Sequence, residues 1–507
     1  MAKKTDRGTT ATAPRTTEQL IAEGTTAHGI GYALRPSRGH GTELRGLAYV
    51  PVSRLHEGRF GRMFRLPPFI PSDDSIREIG DLLAENATGP NPALDNPTIP
   101  AGYTYLGQFI DHDLTFDPVS SLDRQNDPDA LTNFRTPRFD LDCVYGRGPA
   151  DDPFLYDKTS GGTKLLIGHH DDEDDLPRNE QETALLGDPR NDENIFVSQL
   201  QLTMLKFHNQ VVDRVVADPA LRLGSETTFE AAQRIVRWHY QWVVVHDFLR
   251  RTVGEEMLAS VLDESGPRPE VDRRFYLWKN DPYMPVEFSV AAYRFGHSQI
   301  RGRYKLNTGV GPLPTFKPGS TADDPLGHFG GFRVLPPFWT VEWARFFEVD
   351  GAGQDQRQAT RLIDAKLANP LKDLPREIGG DRPSLIERNL TRGARLLLPS
   401  GQDVARHMGA EMLSDADLGL PGGGPAPLWY YILKEAQVQA QGRRLGEVGG
   451  RIVAEVFLGL LEKDPSSFLR NAPTFQPFLP AAMAGTFTMP DLVTFAGHGL
   501  GVTTIGN

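Results

Sequence analysis

One stretch of the chain, Gly102–Pro118, carries polar side chains at a spacing suited to chemistry, and it reads GYTYLGQFIDHDLTFDP. Gln108 and His112 stand four residues apart, and a helix places such residues on one face. We therefore expect these two side chains to point into one pocket, while Asp111 and Asp113 point elsewhere. A histidine there could transfer protons near neutral pH. The alternative is a solvated turn with an exposed histidine.

The composition is that of an ordinary globular protein, with 507 residues, 39% hydrophobic and 24% charged. The net charge of -12 argues against a nucleic-acid or anionic-membrane partner, since both favour basic surfaces. Cys143 is the single cysteine, so no intramolecular disulfide can form. No segment has the apolar core of a signal peptide or the roughly 18 apolar residues of a membrane span. The default expectation is a cytoplasmic protein, with non-classical secretion as the alternative.

Long apolar helices are predicted to frame the stretch 102–118. Residues 193–218 carry apolar side chains at helical spacing, and Thr227 with Glu230 forms a capping box that opens a second helix ending near Gly254. Further helices are predicted near 74–86, 286–300, 339–347, 428–438 and 447–463. Strand-like alternation is scarce. The sequence predicts one large, mainly α domain with long irregular loops and very little β structure.

Two segments at the amino-terminal end differ from this body. Residues 1–25 are rich in Thr, Ala and charge, which predicts a flexible segment. Residues 26–100 carry many Gly, Pro and Arg residues with weak periodicity. We interpret them as an irregular arm that wraps the rest of the domain, which then extends from residue 26 to residue 507.

Four motifs occur in an order that resembles a known family. They are QFIDHDLTFDP, DPRNDENIFVSQLQLTMLKFHNQVV, AAYRFGHSQI and RNLTRGARLLLPSG. Together they resemble the peroxidase–cyclooxygenase superfamily, the haem enzymes of animal-peroxidase type, from about residue 45 to the carboxyl terminus. PLWYYILKEA and VGGRIVAEV resemble the carboxyl-terminal part of bacterial members. The resemblance implies a haem b cofactor, with hydrogen peroxide and a small-molecule reductant as partners.

The resemblance assigns three residues to the peroxide side of the haem. His112 matches the histidine that takes a proton from one peroxide oxygen and returns it to the other. Arg190 matches the arginine that stabilises the negative charge on the departing oxygen. Gln108 matches the glutamine that orients water, peroxide or halide. The family's cycle passes through a ferryl porphyrin-radical state.

On the other side of the haem, His297 in YRFGHS matches the iron ligand. A ligating imidazole normally donates its second N–H to an acceptor, and Asn389 in ERNLTRG matches the asparagine that accepts it in this family. Arg294 and Arg392 stand where the family places arginines near the haem propionates, which suits charge-assisted bonding.

Two carboxylates and one substitution concern the attachment of the haem. Asp111 and Glu193 match the residues that form ester bonds to haem methyl groups in the mammalian members. The chlorinating mammalian enzyme adds a link through a methionine directly after that glutamate. Here the position is Asn194, so that link cannot form. Bromide, iodide, thiocyanate or phenols are therefore expected in preference to chloride.

The resemblance also implies a calcium site beside the distal stretch. Asp113 matches the aspartate after the distal histidine, and TPRFDLD matches the calcium loop. The implied ligands are Asp113, Thr136, Arg138 through its backbone carbonyl, Asp140 and Asp142. Asp142 replaces a serine of the mammalian enzymes, and the added carboxylate keeps the site suited to calcium. The alternative is a solvated acidic loop.

We expect a haem peroxidase that oxidises phenols, halides or thiocyanate. The first alternative is a haem-dependent fatty-acid dioxygenase. Those relatives place a radical-forming tyrosine three residues before the iron ligand, where this chain has Arg294; Tyr293 is one residue away, about 100° around a helix. The second alternative is a non-catalytic calcium-binding interaction protein on the same scaffold. The sequence predicts no oligomeric state.

Overall fold

The computed structural model describes residues 58–85, 91–116, 132–133, 135–170, 173–278, 281–317, 326–351, 353–375 and 382–497. They fall in the compact unit Gly58–Asn507. The segment 1–25 and the first half of the arm 26–100 lie outside these ranges. The domain boundaries given above therefore stay predictions.

Helices form most of the regular structure, and we number them α1 to α14 along the chain. Their bounds are Asp73–Leu83, Gly102–Leu114, Asp142–Tyr145, Ile195–Ala217, Thr228–Val243, Arg250–Val253, Glu255–Val261, Leu385–Arg395, Gly401–Met408, Asp415–Leu418, Leu428–Ala440, Glu447–Lys463, Phe468–Asn471 and Met489–Phe495. No helix within the described ranges combines the length and apolar character needed to cross a membrane.

The strands, β1 to β11, are short. Their bounds are Gly58–Gly61, Asp95–Pro100, Thr132–Asn133, Gly168–His170, Glu173–Asp175, Leu262–Asp263, Glu270–Val271, Met284–Pro285, Arg303–Tyr304, Leu313–Pro314 and Ala359–Arg361. β1 pairs antiparallel with β3 and parallel with β8, while β9 with β10, β2 with β11, β4 with β5, and β6 with β7 form two-stranded ladders. The predicted mainly α class is confirmed.

The two long helices predicted from apolar spacing are present. α4 begins after Asn194, whose side chain accepts a hydrogen bond from the N–H of Val197 and so caps the helix. α5 begins at the predicted capping box of Thr227 and Glu230. It continues through a π-helical turn, Val244–Leu249, into α6, and this run ends at Gly254 with a φ of 84°. The predicted end near Gly254 is confirmed.

Two other predicted helices differ from expectation. Residues 286–300 form a π-helical turn, Glu287–Ala291, and then a 3-10 turn, Ala292–His297, with a break at the junction. The prediction for 339–347 is wrong, because only Trp343–Arg345 makes a helical turn there. The carbonyls of Arg345 and Phe346 accept instead from the N–H groups of Gln358 and Gly102, at 2.8 and 2.9 Å. Those carbonyls cannot continue a helix.

The start of α2 depends on a close approach at Gly102. A Cβ at this position would lie 2.4 Å from the Phe347 ring and 2.7 Å from the carbonyl oxygen of Phe346. Only glycine lets the helix begin so near this backbone. The approach therefore fixes the position of the helix that carries Gln108 and His112.

We predict that Gly102→Ala lowers the free energy of unfolding by about 1–3 kcal/mol, as overpacking a buried contact usually does. The control is Gly393→Ala in α8, where an added Cβ would meet only Leu398 at 3.5 Å, an ordinary contact. Chemical denaturation of the two variants checks this. Equal stability of both variants would show that the approach at Gly102 is not tight.

Candidate active site

A cavity of about 450 Å³ lies between α2, the Ala292–His297 turn and α8. Most of the side chains assigned to chemistry from the sequence line it. They are Gln108, Asp111, His112, Glu193, Arg294, His297, Asn389 and Arg392. The fold therefore brings together residues that are up to 284 positions apart in the chain, from Gln108 to Arg392.

His112 is buried and its ring is held through Nδ1. That nitrogen lies 2.7 Å from Oδ1 of Asn191, and the Asn191 amide nitrogen donates to Oε1 of Gln201 at 2.8 Å. Since Oδ1 can only accept, Nδ1 carries the proton of the neutral ring. Burial, reinforced by the positive charge of Arg190, lowers the pKa of His112 to about 3. The ring is neutral at physiological pH, with a free lone pair on Nε2.

Asn191 was not predicted. It stands directly after Arg190 in the same motif, and that adjacency is the only sequence signal that could have drawn attention to it. Its hydrogen bonds tie the ring of His112 in α2 to Gln201 in α4. It therefore selects both the orientation and the tautomer of the histidine.

Hydrogen bonds at both ends of its side-chain amide fix the orientation of Gln108. Its amide nitrogen donates to Oε1 of Glu193, and its Oε1 accepts from the Asn194 amide nitrogen at 3.1 Å. Oε1 of Glu193 lies 3.7 Å from Nε2 of His112. The predicted pairing of Gln108 and His112 on one face of α2 is therefore present in the structure.

Asp111 also lines the cavity, although simple helix geometry predicted that it would point elsewhere. Thr115 donates to its Oδ1 at 3.0 Å. Burial raises the pKa of Asp111, and Arg190 and Arg294 oppose that rise. Burial also raises the pKa of Glu193 to about 7, with Arg190 opposing and Asp188 adding to the rise. Two carboxyl groups with weakened acidity thus face one cavity.

Arg190 is placed differently from expectation, because it is not among the side chains that line the cavity. Its Nη2 donates to the carbonyl of His112 at 3.0 Å and to Asp188 at 2.8 Å, and the guanidinium lies 4.6 Å from the centre of the Phe116 ring. These partners draw it toward the carboxyl end of α2. In the described conformation its charge acts through its field and not by contact with a ligand.

His297 and Asn389 are in contact, but their hydrogen bond runs opposite to the predicted direction. Nη1 of Arg294 donates to Oδ1 of Asn389 at 2.7 Å, which leaves the amide nitrogen facing Nδ1 of His297, also at 2.7 Å. A guanidinium has no acceptor, so the atom facing it must be the amide oxygen. Asn389 therefore donates to His297. Burial and the charge of Arg294 lower the pKa of His297 to about 3, so the ring is neutral. Because Nδ1 accepts from Asn389, the proton of the neutral ring lies on Nε2.

Arg388 is a cavity residue that sequence reasoning missed. It lines the cavity beside Arg294 and Arg392. Burial lowers the pKa of Arg388, and the like charges of Arg392 and Arg382 add to the effect. Arg388 stands four residues before Arg392, so both lie on one face of α8. This spacing could have predicted that Arg388 also faces the cavity.

The predicted calcium ligands also converge. Carboxylate oxygens of Asp113, Asp140 and Asp142 all lie within 4.8 Å of one another. Thr136 donates to Asp140 at 2.8 Å, and the N–H of Arg138 donates to the Thr136 carbonyl at 2.8 Å. Thr136 therefore joins the three carboxylates through Asp140, and Arg138 adjoins Thr136 through its N–H.

Burial raises the pKa of Asp113 well above its usual range, with Asp140 and Asp142 adding to the effect. Burial also raises the pKa of Asp140 to about 6, with Asp142 contributing. The sequence reasoning missed Arg135, which binds Asp142 at 2.7 Å, and Tyr240, which donates to Asp113 at 3.3 Å. Three close carboxyl groups that repel one another favour a cation.

The cavity residues fit a haem. His297 would offer Nε2 as an iron ligand once that nitrogen gives up its proton, and Arg294, Arg388 and Arg392 offer cations for carboxylates at the periphery of the group. A Cβ on Gly296, next to His297, would meet no atom within 4 Å, so there is room beside the ligand. Buried Thr104 Oγ1, which lines the same cavity, has no hydrogen-bond partner. These features make the cavity of this helical protein suitable for a haem group.

Comparison with known proteins shows what this chain is similar to. The family model described as animal haem peroxidase matches residues 120–315. A peroxidase-like protein of Margaritifera margaritifera is 33% identical over 128 residues, which is 25% of this chain and 16% of that protein. Chorion peroxidase of Drosophila melanogaster is 29% identical over 121 residues, or 24% of this chain and 14% of that protein. The chain is therefore similar, over its middle part, to animal haem peroxidases, and it spans about a sixth of the length of these curated relatives.

Solved structures show the same fold. Peroxidase A from Dictyostelium discoideum superposes with a TM-score of 0.63 at 15% identity, covering 88% of this chain and 94% of that chain. The fatty acid alpha-dioxygenase of Oryza sativa gives 0.55 at 17% identity, covering 86% and 78%. Both results show that this chain shares the fold of those proteins, and the family model over residues 120–315 confirms the predicted resemblance.

We predict that His297→Ala loses more haem affinity than the roughly 10- to 100-fold that removal of a supporting partner costs, because the metal–nitrogen bond itself is lost. The measurement is a haem titration of apoprotein followed by Soret absorbance. His169→Ala, at an exposed histidine outside the cavity, is the control. Circular dichroism checks that both variants fold. Unchanged haem affinity in His297→Ala would refute the assignment of the ligand.

Proposed function

We propose that the protein is a haem-dependent peroxidase that reduces hydrogen peroxide with small reductants. One peroxide molecule accepts two electrons and two protons and gives two waters, while two phenols each supply one electron and one proton. When bound, the haem supplies the iron that accepts the peroxide and stores the oxidising equivalents. The bond of His112 to Asn191 carries this proposal, because it leaves Nε2 as a free base.

His112 serves as the proton carrier in this scheme. Its neutral ring takes a proton from one peroxide oxygen at Nε2 and delivers it to the other, which leaves as water. Asn191 keeps the proton on Nδ1, so Nε2 starts each cycle as an acceptor. Gln108, held by Glu193 and Asn194, offers a fixed dipole beside the same space.

Arg190 supports this proton transfer from a distance. Its guanidinium is bound to Asp188 and to the carbonyl end of α2, and it lowers the pKa of His112. A positive charge near the site favours negative charge on a departing oxygen. We propose that Arg190 acts through this field and by holding the end of α2, and not by contact with the peroxide.

The reductants proposed are phenols, bromide, iodide or thiocyanate. Asn194 caps α4 and binds Gln108, so it has a structural task at the position where the chlorinating mammalian enzyme has a methionine. Ester bonds from Asp111 and Glu193 to the haem are part of the proposal, since both carboxyl groups line the cavity. Acid–organic extraction of the haem tests them.

Dioxygenase activity is less favoured, although a rice fatty acid alpha-dioxygenase shares the fold. Arg294 stands three residues before His297 and is engaged with Asn389. Tyr293 lines the cavity, but its phenol donates to the carbonyl of Gly107 at 3.1 Å. Oxygen uptake with linoleate and without added peroxide would favour the dioxygenase. A non-catalytic role would be favoured if haem-loaded protein oxidised neither phenols nor iodide with peroxide.

We also propose that the cluster of Asp113, Asp140 and Asp142 binds calcium. Calcium takes six to eight oxygen ligands, and Thr136 and the backbone of Arg138 lie beside the three carboxylates. Asp113 directly follows His112 in α2. Calcium would therefore hold the helix that carries the proton carrier.

We predict that His112→Ala retains haem but slows its reaction with peroxide by about 10²- to 10⁴-fold, the usual contribution of a positioned acid–base group. Stopped-flow absorbance at the Soret band measures the rate constant. In the parent protein the His112 base should stay available through neutral pH and be lost only as the solution approaches the His112 pKa of about 3, so any change in rate near pH 7 reports the titration of Glu193.

Asn191→Ala provides the matched comparison, because it leaves the imidazole but frees its Nδ1. It should slow the peroxide reaction less than His112→Ala does. A rate equal to that of the parent protein in either variant would contradict the role given to that residue.

We predict that calcium added to chelator-treated protein raises the unfolding temperature. At a free calcium concentration of 100 times the dissociation constant, the free energy of unfolding should rise by about 2.7 kcal/mol. Asp113→Asn should abolish the effect, while Asp213→Asn at an exposed ion pair with Lys164 should not. The gain should be larger at about pH 7.5 than at about pH 5. Asp140, with its pKa raised to about 6, binds a proton at the lower pH, and that proton competes with calcium. If calcium caused no thermal shift, the proposal that this cluster binds calcium would be contradicted.

A further inference from the structure

Phe332 has a position that the peroxidase scheme does not use. It lines the cavity and yet is 63% exposed, so its ring stands at the opening. Its φ of 56° lies in the left-handed region, which is unfavourable for a bulky L-residue. An exposed aromatic ring on a strained backbone gains nothing for folding. Such a feature at a cavity mouth points to a ligand.

The backbone around Phe332 is fixed to the residues of the cavity wall. The N–H of Phe332 donates to the carbonyl of Asp192 at 2.6 Å, and the N–H of Gly331 donates to that of Glu193 at 2.9 Å. A Cβ on Gly331 would lie only 1.9 Å from the Asp192 carbonyl oxygen. The ring is therefore held at a set place relative to Glu193, which also lines the cavity.

Other apolar side chains line the cavity together with Phe332. Phe316 and Ile300 line the same cavity. The segment of Phe316 is joined to that of Phe332 by the N–H of Phe329, which donates to the carbonyl of Thr315 at 3.3 Å. The cavity wall thus carries aromatic side chains, Phe316 and Phe332, from two hydrogen-bonded segments.

We propose that Phe332 docks an aromatic reductant at the mouth of the cavity, and that phenols are therefore the substrate class that this site selects. This inference rests on the proposed function and narrows it. A ring gains both apolar burial and favourable ring–ring geometry against a phenylalanine. A small hydrated anion such as iodide gains neither, so an exposed Phe332 offers it no binding energy.

The test replaces Phe332 by glycine, which removes the ring and also accepts the left-handed backbone. Phe332→Gly should fold with an unfolding temperature equal to or above that of the parent. Phe338→Gly is the matched control, because Phe338 has a φ of 65° and is 81% exposed but does not line the cavity. The pair separates the aromatic ring at the mouth from the general effect of relieving strain.

Two measurements follow on both variants. The dissociation constant of 4-methylphenol is measured by calorimetry on haem-loaded protein without peroxide, and KM and kcat are measured for 4-methylphenol and for iodide with peroxide. In Phe332→Gly the dissociation constant and the KM for the phenol should rise about 3- to 10-fold, in line with the loss of one aromatic pair. The ratio of phenol to iodide specificity should fall by a similar factor, and Phe332→Tyr should restore it.

Three results would overturn the inference. They are unchanged phenol binding in Phe332→Gly, an equal loss of specificity for phenol and iodide, and an equal loss in Phe338→Gly. Weakened binding of linoleate with unchanged binding of 4-methylphenol would also overturn it, in favour of a lipid chain at the mouth. If no reductant is oxidised by any form, the proposed function fails, and the binding measurement alone decides the docking role.

Discussion

The candidate site depends on the ion pairs of one fully buried carboxylate, Asp188. It binds the guanidiniums of both Arg135 and Arg190. Burial alone would raise its pKa, but these two charges hold the pKa of Asp188 well below its usual range. Arg190 continues to the carbonyl of His112, and Arg135 continues to Asp142 in the carboxylate cluster. Removing any one charge would leave the others buried and uncompensated, so the proton carrier and the candidate ion site share one electrostatic support.

Much of the fold and many members of the site could be predicted from the sequence, because both leave periodic or ordered signals. The apolar spacing of α4 and the capping box of α5 are local features that tertiary packing did not overrule. The four-residue spacing of Gln108 and His112 placed both on the cavity face of α2. The assignment of His297 as the iron ligand could be made only from the order of the four motifs, since the π and 3-10 turns at this position carry no regular helical pattern.

The directions of long or ambivalent side chains could not be predicted in the same way. Arg190 has several donors, and its choice of the carbonyl end of α2 over the cavity depends on partners far away in the chain. Asn389 can offer either end of its amide to His297, and Arg294 decides by occupying the oxygen. Asn191 completes a series of hydrogen bonds that connects His112 to Gln201 on a different helix. In each case residue type limits the options, and the tertiary arrangement selects among them.

Two of the left-handed non-glycine residues lie beside the residues proposed for function, while others, such as Phe338, lie outside the cavity. Leu141, with a φ of 58° and no exposed surface, separates Asp140 from Asp142, and its conformation lets both carboxylates approach Asp113. Phe332 holds the same kind of conformation at the mouth of the cavity. Left-handed residues of this size cost of order 1–3 kcal/mol each and persist only where the surrounding structure over-determines them. Since ordinary turns could use glycine at no such cost, the side chains kept at these two positions are best explained by what they contact or present.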